Sequence, residues 1–355
     1  MPKFEYLLMN NNVLVSVVVP CFNNGKYLKE LIDCFKKQTV DYWELNIVDD
    51  GSTDETPIEI INYITDFHNI HFYHRDREPK NGDTCRNIGY EMSVGKYVIF
   101  IDADDLVSDT FVQHRVEFME SNPGVDYASF PSKVFYDVDN LPTLNSDGYV
   151  YGVDKGQQDL ISEVLKGYSY PFGVWSNIYR KSSLLGAQIK WNEKLFVYQD
   201  FYFLLCTILA GLKHSYGPAI EVDYFYRQLL NDNHVCGHFS SQRKVDSTNY
   251  LFERVILELK DKELFEKYRN DFLDFLLLHF ERLINDGCSK ENLNAYTSLC
   301  IKYYGKERSF SILQRLVKVR NSRMRRLLFV LCGVALFRVN RYKASFVRNV
   351  LLVRK

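Results

Sequence analysis

The sequence has little that would hold it in a membrane or carry it out of the cell. Its longest apolar run, residues 327–337, is eleven residues long, against the roughly 20 that a helix needs to cross a bilayer, so no transmembrane helix is expected. Residues 1–12 lack the basic flank, long apolar stretch and small-residue cleavage site of a secretory signal. Paired cysteine spacings are missing too. Cys21, Cys34, Cys85, Cys206, Cys236, Cys288, Cys300 and Cys332 lie far apart with no C-x-x-C, which argues against a zinc site and against a disulfide framework. These absences predict a chain that stays in a reducing cytosol. Glycine is scarce where dinucleotide folds use it: residues 20–25 contain one, so the glycine-rich turn of an NAD-dependent dehydrogenase is absent. An early Gly-rich basic loop for triphosphate, as a sugar-phosphate nucleotidylyltransferase would carry, is absent as well. No internal repeat or low-complexity tract is visible.

What remains is ordinary globular material with uneven charge. At 355 residues, 46% hydrophobic and 25% charged, the chain can bury one large core and a smaller appended unit. The net charge of -1 conceals a basic end: residues 308–355 hold thirteen Lys and Arg and no acid, leaving 31 basic against 45 acidic residues in the rest.

Strand and helix patterns alternate through the first half. Residues 13–19 are a β-branched apolar run broken by Pro20, suited to a strand buried on both faces. Residues 27–38 place Leu28, Leu31, Ile32 and Phe35 at helical spacing. A second strand over 45–48 stops at Asp49-Asp50-Gly51-Ser52, with Ser52 or Thr53 as N-cap of a helix over 53–67. A short strand over 70–73, a helix over 86–94 and a strand over 97–101 follow, the last running into Asp102-Ala103-Asp104-Asp105. This alternation predicts an α/β fold with a mixed, mainly parallel sheet covered by helices on both faces. Beyond Ser240 the helical repeats predict a mostly helical C-terminal region, so the expected domains are 1–239 and 240–355. Ligands collect beyond the carboxyl ends of the strands of such sheets, where residues 20–23, 49–50 and 102–105 converge.

Asp102, Asp104 and Asp105 concentrate like charge within four positions, and a divalent cation is the natural compensator. Hard oxygen ligands suit Mg2+ or Mn2+. The same D-A-D-D also reads as an acidic turn capping a helix that begins near Ser108.

Four blocks decide between these readings: V-S-V-V-V-P-C-F-N (15–23), V-D-D-G-S-T-D (48–54), R-N-I-G (86–89) and G-K-Y-V-I-F-I-D-A-D-D (95–105). In order and spacing the chain resembles the family 2 glycosyltransferases of the GT-A fold, inverting enzymes of the bacterial polysaccharide type. The likeness continues less sharply through P-F-G-V-W-S-N-I-Y-R (171–180) and F-V-Y-Q-D (196–200), and fades after about Gln228. The resemblance implies transfer of a hexosyl or N-acetylhexosaminyl group from a nucleotide-sugar, a UDP-sugar, to a hydroxyl of a glycan or lipid-linked glycan, with Mn2+ or Mg2+ as cofactor. It implies that Pro20, Phe22 and Asn23 wall the nucleotide pocket, that Asp50 accepts a hydrogen bond from the base, and that Arg86 lies near the diphosphate or the base. Asp102 would touch ribose or metal, Asp104 would bind the metal directly, and Asp105 would be a further partner. The family's Glu-Asp pair reads Gln199-Asp200 here, which keeps the catalytic base, Asp200, and alters its tuning. Trp175 would stack on a sugar, the acceptor above all, although the residue alone fits a core position equally well. Asn177 stands where the family often has Lys. Tyr226-Arg227-Gln228 resembles a segment near the donor phosphates, and His234 or His238 would complete the metal shell.

The basic end carries Arg323, Arg325 and Arg326, the apolar stretch 327–337, then Arg338, Arg341 and Lys343. That is the pattern of a helix lying on an anionic membrane surface, the inner face of the cell membrane, or of an amphipathic helix docked on the acidic body. Nucleic-acid binding is not expected, because base-reading and base-stacking motifs are missing. A non-catalytic protein that binds nucleotide-sugar without turnover is the alternative that Gln199 favours.

Overall fold

The computed structural model describes residues 13–305, apart from 137, 157–158, 167–170, 229–238 and 240, together with residue 315. The chain divides into two compact units, residues 1–164 with 169–231, and residues 165–168 with 232–355.

The first unit is built on a seven-stranded sheet in the order β3-β2-β1-β4-β8-β6-β9. Strands β1 (Val15–Cys21), β2 (Trp43–Asp49), β3 (Ile70–His74) and β4 (Tyr97–Phe100) are mutually parallel. β8 (Asn177–Arg180) runs antiparallel to β4 and to β6 (Tyr127–Ser129), and β9 (His214–Tyr216) is parallel to β6. The expected mixed, mainly parallel sheet is therefore present. A second sheet, β5 (Leu106–Val107), β10 (Tyr224–Arg227) and β7 (Ser132–Phe135), was not anticipated.

Alternation along β1 explains the two layers of helix. Val15, Val17 and Val19 join Leu45, Ile47 and Ile99 in a core that takes Leu28, Leu31, Ile32 and Phe35 from α1 (Gly25–Lys36), Ile60 from α2 (Thr56–Tyr63) and Phe111, Val112 and Val116 from α4 (Phe111–Ser121). The opposite face carries α3 (Gly82–Met92), whose Cys85 and Ile88 pack on Val48. Period-two side chains on a strand face opposite sides, so a run buried throughout needs a helix on each. Gly89 fixes how closely α3 approaches. A Cβ there would meet Val18 Cγ1 at 2.4 Å, which explains the glycine of R-N-I-G.

Local details correct the expectations. Pro20 does not end β1, which runs through it to Cys21 in register with Asp49. Pairing with β4 stops at Val18, and Val18 O accepts the Ile101 amide, so the side of residue 20 without an N–H lies beyond the β4 ladder, where proline is tolerated. Neither Ser52 nor Thr53 caps α2. The helix starts at Thr56, whose amide is taken by Asp54 Oδ1 at 3.0 Å. α3 begins four residues before Arg86 because Asn81 Oδ1 caps the Thr84 amide at 2.8 Å.

The second unit is helical where it is described: α8 (Gln242–Asp261), α9 (Phe265–Asn285) and α10 (Lys290–Tyr304). Phe252 of α8 sets its ring edge against Phe272 and Phe275 of α9 and against Tyr296 of α10. Tyr296 anchors its hydroxyl on Leu276 O at 2.7 Å. Among the described residues no helix is long and apolar enough to cross a membrane. The basic stretch 323–355 lies outside the described residues.

Candidate active site

The carboxyl ends of β1, β2 and β4 carry the first three segments. Asp49, buried at the end of β2, accepts the amides of Gly51 and Ser52 and the Ser52 hydroxyl, so it shapes the turn. Asn23 sits in left-handed backbone at φ 50°, which asparagine tolerates. Its amide bonds Ser52 Oγ at 2.9 Å and its side chain pairs with Thr53. Asn23 thus stitches the β1 loop to the β2 loop.

Asp50 is turned the other way. Its Oδ1 accepts Arg75 Nε at 2.7 Å from just beyond β3. Burial raises its pKa, and the neighbouring Arg75 guanidinium pulls it back. Pro20 is half-buried within β1. Phe22 is 45% exposed, with the Lys80 ammonium 3.9 Å from its ring centre. Lys80 also donates to Gly51 O at 3.2 Å. An exposed ring, a cation and a carboxylate held by arginine suit a flat, polar-edged ligand followed by phosphate.

Beyond β4 the aspartates separate by burial. Asp105 is fully buried. It accepts the Tyr224 hydroxyl and, at 2.6 Å, the Arg227 amide, so it ties β10 to the end of β4. Burial, then the charges of Asp104 and Asp102, raise its pKa well above the carboxylate range. Asp102 and Asp104 are only partly buried. Arg227, expected near phosphate, is consumed as a brace: its guanidinium donates to Asp104 O and, at 2.5 Å, to Glu30 Oε2.

Arg86 links these segments to one another. It is 8% exposed and lies 4.5 Å from the centre of the Trp191 ring. Nη2 donates to Asp102 Oδ1 at 2.7 Å, while Nη1 reaches Asp83 Oδ1 at 3.3 Å and Gln199 Oε1 at 3.4 Å. After the short helices α5 (Leu160–Lys166) and α6 (Lys181–Gly186), Gln199 opens α7 (Gln199–Leu209) behind Tyr198, which takes left-handed backbone at φ 57°. Asp200 follows in the first turn. Burial raises its pKa to about 6; Arg86 lowers it and Asp102 raises it further. Arg86 therefore joins Asp102, beyond β4, to Gln199 at the start of α7. Arg75, Lys80, Asp83 and Trp191 belong to this neighbourhood and were missed. The N-cap pattern at Asn81 could have marked Asp83 as a first-turn acid, and nothing in the sequence marks the others.

Trp175 is half-buried, stacked on Tyr224 and Tyr226 with ring centres 5.2 and 5.4 Å away and meeting the edge of Tyr151 at 5.3 Å. Asn177 is fully buried in β8, satisfied by Tyr179, Ser129 and Ser176. His234 and His238 lie outside the described residues. Among the described residues no group of three or more His, Cys, Asp or Glu is placed to hold a metal ion. Asp102 and Asp104 supply two hard-oxygen side chains, and Mg2+ takes one or two carboxylates and fills its shell with water and substrate phosphates. The pair fits a cation that arrives with a diphosphate.

Comparison with known proteins adds the following. Residues 16–171 match the model of glycosyl transferase family 2. The chain is 25% identical over 282 residues to the uncharacterized glycosyltransferase YibD of Escherichia coli K12, covering 77% of this chain and 76% of that one. It is 22% identical over 286 residues to the poly(ribitol-phosphate) beta-N-acetylglucosaminyltransferase TarS of Staphylococcus aureus, covering 77% of this chain but only 45% of TarS. The crystal structure of S. aureus TarS 1-349 in complex with UDP-GlcNAc matches with a TM-score of 0.55 at 18% identity over 90% of each chain. The mannosyltransferase PcManGT from Pyrobaculum calidifontis, in complex with GDP-Man and Mn2+, matches with a TM-score of 0.51 at 14% identity, covering 91% of this chain and 88% of that one. At such identities these structures speak to the fold, which is of the GT-A type.

Proposed function

We propose, for a chain that belongs through residues 16–171 to glycosyl transferase family 2, that it moves a sugar from a UDP-sugar to a hydroxyl of a glycan or lipid-linked glycan, with inversion at the anomeric carbon. One observation carries the reading: a single buried guanidinium, Arg86, bonds Asp102 on one side and Gln199, neighbour of Asp200, on the other. Acids for the donor and a base for the acceptor then share one cleft.

The chemistry follows from where charge develops. As the bond from sugar C1 to the diphosphate oxygen breaks, negative charge collects on the leaving group and the ring becomes oxocarbenium-like. Arg86 faces that charge as a fixed cation. Asp200 accepts the proton of the acceptor hydroxyl as its oxygen attacks C1; with one base and no carboxylate nucleophile, displacement is direct. A divalent cation on Asp102 and Asp104, when bound, supplies Lewis-acid stabilisation of the diphosphate. Asp50, oriented by Arg75, accepts the uracil N–H; Pro20, Phe22 and Asn23 wall the base, and Trp175 borders the acceptor. Residues 1–239 form the catalytic domain, and the basic end of 240–355 rests on an anionic membrane near a lipid-linked acceptor. The choice of UDP is supported by TarS, whose structure is in complex with UDP-GlcNAc.

A donor panel of UDP- and GDP-sugars with Mn2+ or Mg2+, reading released nucleoside diphosphate, tests the proposal. Release from a UDP-sugar, lost in Asp200→Asn, is the expected result. Binding without release would favour the non-catalytic alternative, and no response to any donor refutes both.

A further inference from the structure

The first unit holds a cavity of about 560 Å³ that none of the steps above uses, a size within the range of small-ligand sites. Val153, Asp154 and Leu160 line it from the chain leading into α5, and His214, Ser215 and Tyr216 of β9 line it from the sheet. β9 is the last strand of that sheet, so among the described residues one row of its backbone N–H and C=O groups has no strand beside it. The buried Phe172 stacks on the His214 ring at 4.5 Å and meets Tyr216 edge-on at 6.0 Å, which fixes both rings. His214 Nε2 bonds Ser129 Oγ at 2.8 Å. Burial lowers the His214 pKa to about 4, with Asp154 opposing, and burial, then Asp154 and Tyr149, raises that of Tyr216 to about 12. Both rings are therefore neutral at pH 7, and Asp154 is the single charge in the lining.

The cavity is joined to Trp175 by a row of rings. Tyr151 meets Trp175 edge-on at 5.3 Å, and Tyr149, 43% exposed, meets Tyr151 edge-on at 4.7 Å. The backbone that carries them is fastened: Tyr151 exchanges bonds of 2.9 and 3.0 Å with Ser132, and the Gly152 amide donates to Pro171 O at 2.9 Å. Residues 171–175 thus supply both Phe172, behind the cavity, and Trp175, beside the cleft. We propose that this cavity is a binding subsite for an uncharged saccharide, a sugar of the acceptor glycan beyond the one that receives the transferred group. The inference rests on the reading of a glycan acceptor at Trp175. A pyranose offers a face of C–H groups to an aromatic ring and hydroxyls to polar groups around it, and the lining pairs Tyr216 with Asp154, Ser215 and a strand edge in that way. An anionic sugar would bring its charge against Asp154 with no lining cation to offset it. The acceptor is accordingly a chain of several neutral sugars that runs from Trp175 along Tyr151 and Tyr149.

The test is direct binding to the full-length protein, with no donor present. Cello-oligosaccharides and chito-oligosaccharides of one to four units, and oligogalacturonates of the same lengths as anionic counterparts, are titrated and followed by saturation-transfer NMR. In at least one neutral series the affinity should rise about tenfold or more from one unit to four. Tyr216→Ala and Asp154→Ala should each abolish that gain while leaving the affinity for UDP as in the wild type. Should Tyr216→Ala not fold, Asp154→Ala, at an exposed position, decides alone. No gain with length in either neutral series overturns the inference, as does a gain that survives Asp154→Ala. An equal gain with oligogalacturonates overturns it too. A silent donor panel would sink sugar transfer while leaving these affinities as they are, whereas an active panel without length dependence would sink the subsite alone.

Discussion

If Asp200 takes the acceptor proton, turnover must follow its ionisation. An ordinary aspartate titrates near 3.8; burial, with Asp102 beside it and Arg86 opposing, brings Asp200 to about 6. The rate tracks the ionised fraction, which is about nine-tenths at pH 7 and about one-tenth at pH 5, so kcat should fall about tenfold across that interval. The same acid at its ordinary value would lose less than about a tenth of its activity there. The sign is that of a base: activity rises with pH through the acid limb. The assay is UDP release at saturating donor and acceptor from pH 5 to 8 at fixed ionic strength and fixed Mn2+. A UDP-sugar carries its diphosphate as a diester, so the donor itself does not titrate in this range. Asp200 shares its cleft with Arg86, Asp83 and Asp102, and the observed midpoint therefore belongs to the group as a whole. Asp200→Asn should lower kcat by about 10²–10⁴ and erase the limb. A flat profile between pH 5 and 7 in the wild type, or the same limb in Asp200→Asn, would refute the assignment.

Gly89→Ala should destabilise the protein by about 1–3 kcal/mol, because the new Cβ meets Val18 Cγ1 at 2.4 Å. By lifting α3 it should also weaken UDP binding through Arg86; calorimetry of both quantities checks this, and Val18→Ala should relieve part of each loss. Deleting residues 323–355 should abolish sedimentation with vesicles containing anionic lipid at low salt, while undiminished sedimentation would remove the membrane from the proposal.

The parallel half of the sheet was legible because β1 and β4 are buried almost throughout and read as largely apolar runs between helical spacings. The three-stranded sheet was not. β5, β7 and β10 have two to four residues each, too few to display a period, and each pairs with a partner far along the chain. Pro20 was read as a stop from a local rule, whereas the limit of the β4 ladder decides what a proline at that position costs.

Within the site, the sequence names the residue types that gather and leaves their ranking open. By residue type alone Asp102, Asp104 and Asp105 are alike, and what sets Asp105 apart in the fold is Tyr224 and Arg227, 119 and 122 positions later. Asp83 looks like any acid in a first helical turn, a place where negative charge is favoured by the helix dipole and is usually solvated. Its burial depends on α3 lying close against β1, which Gly89 permits, and its partner depends on Arg86 reaching across to β4. Each of those facts is a contact between segments, so this buried acid cannot be told from a surface acid until the helix is seated. Burial then decides more than residue type does: the two acids bonded to Arg86, Asp83 and Asp102, lie nineteen positions apart and meet only through one guanidinium.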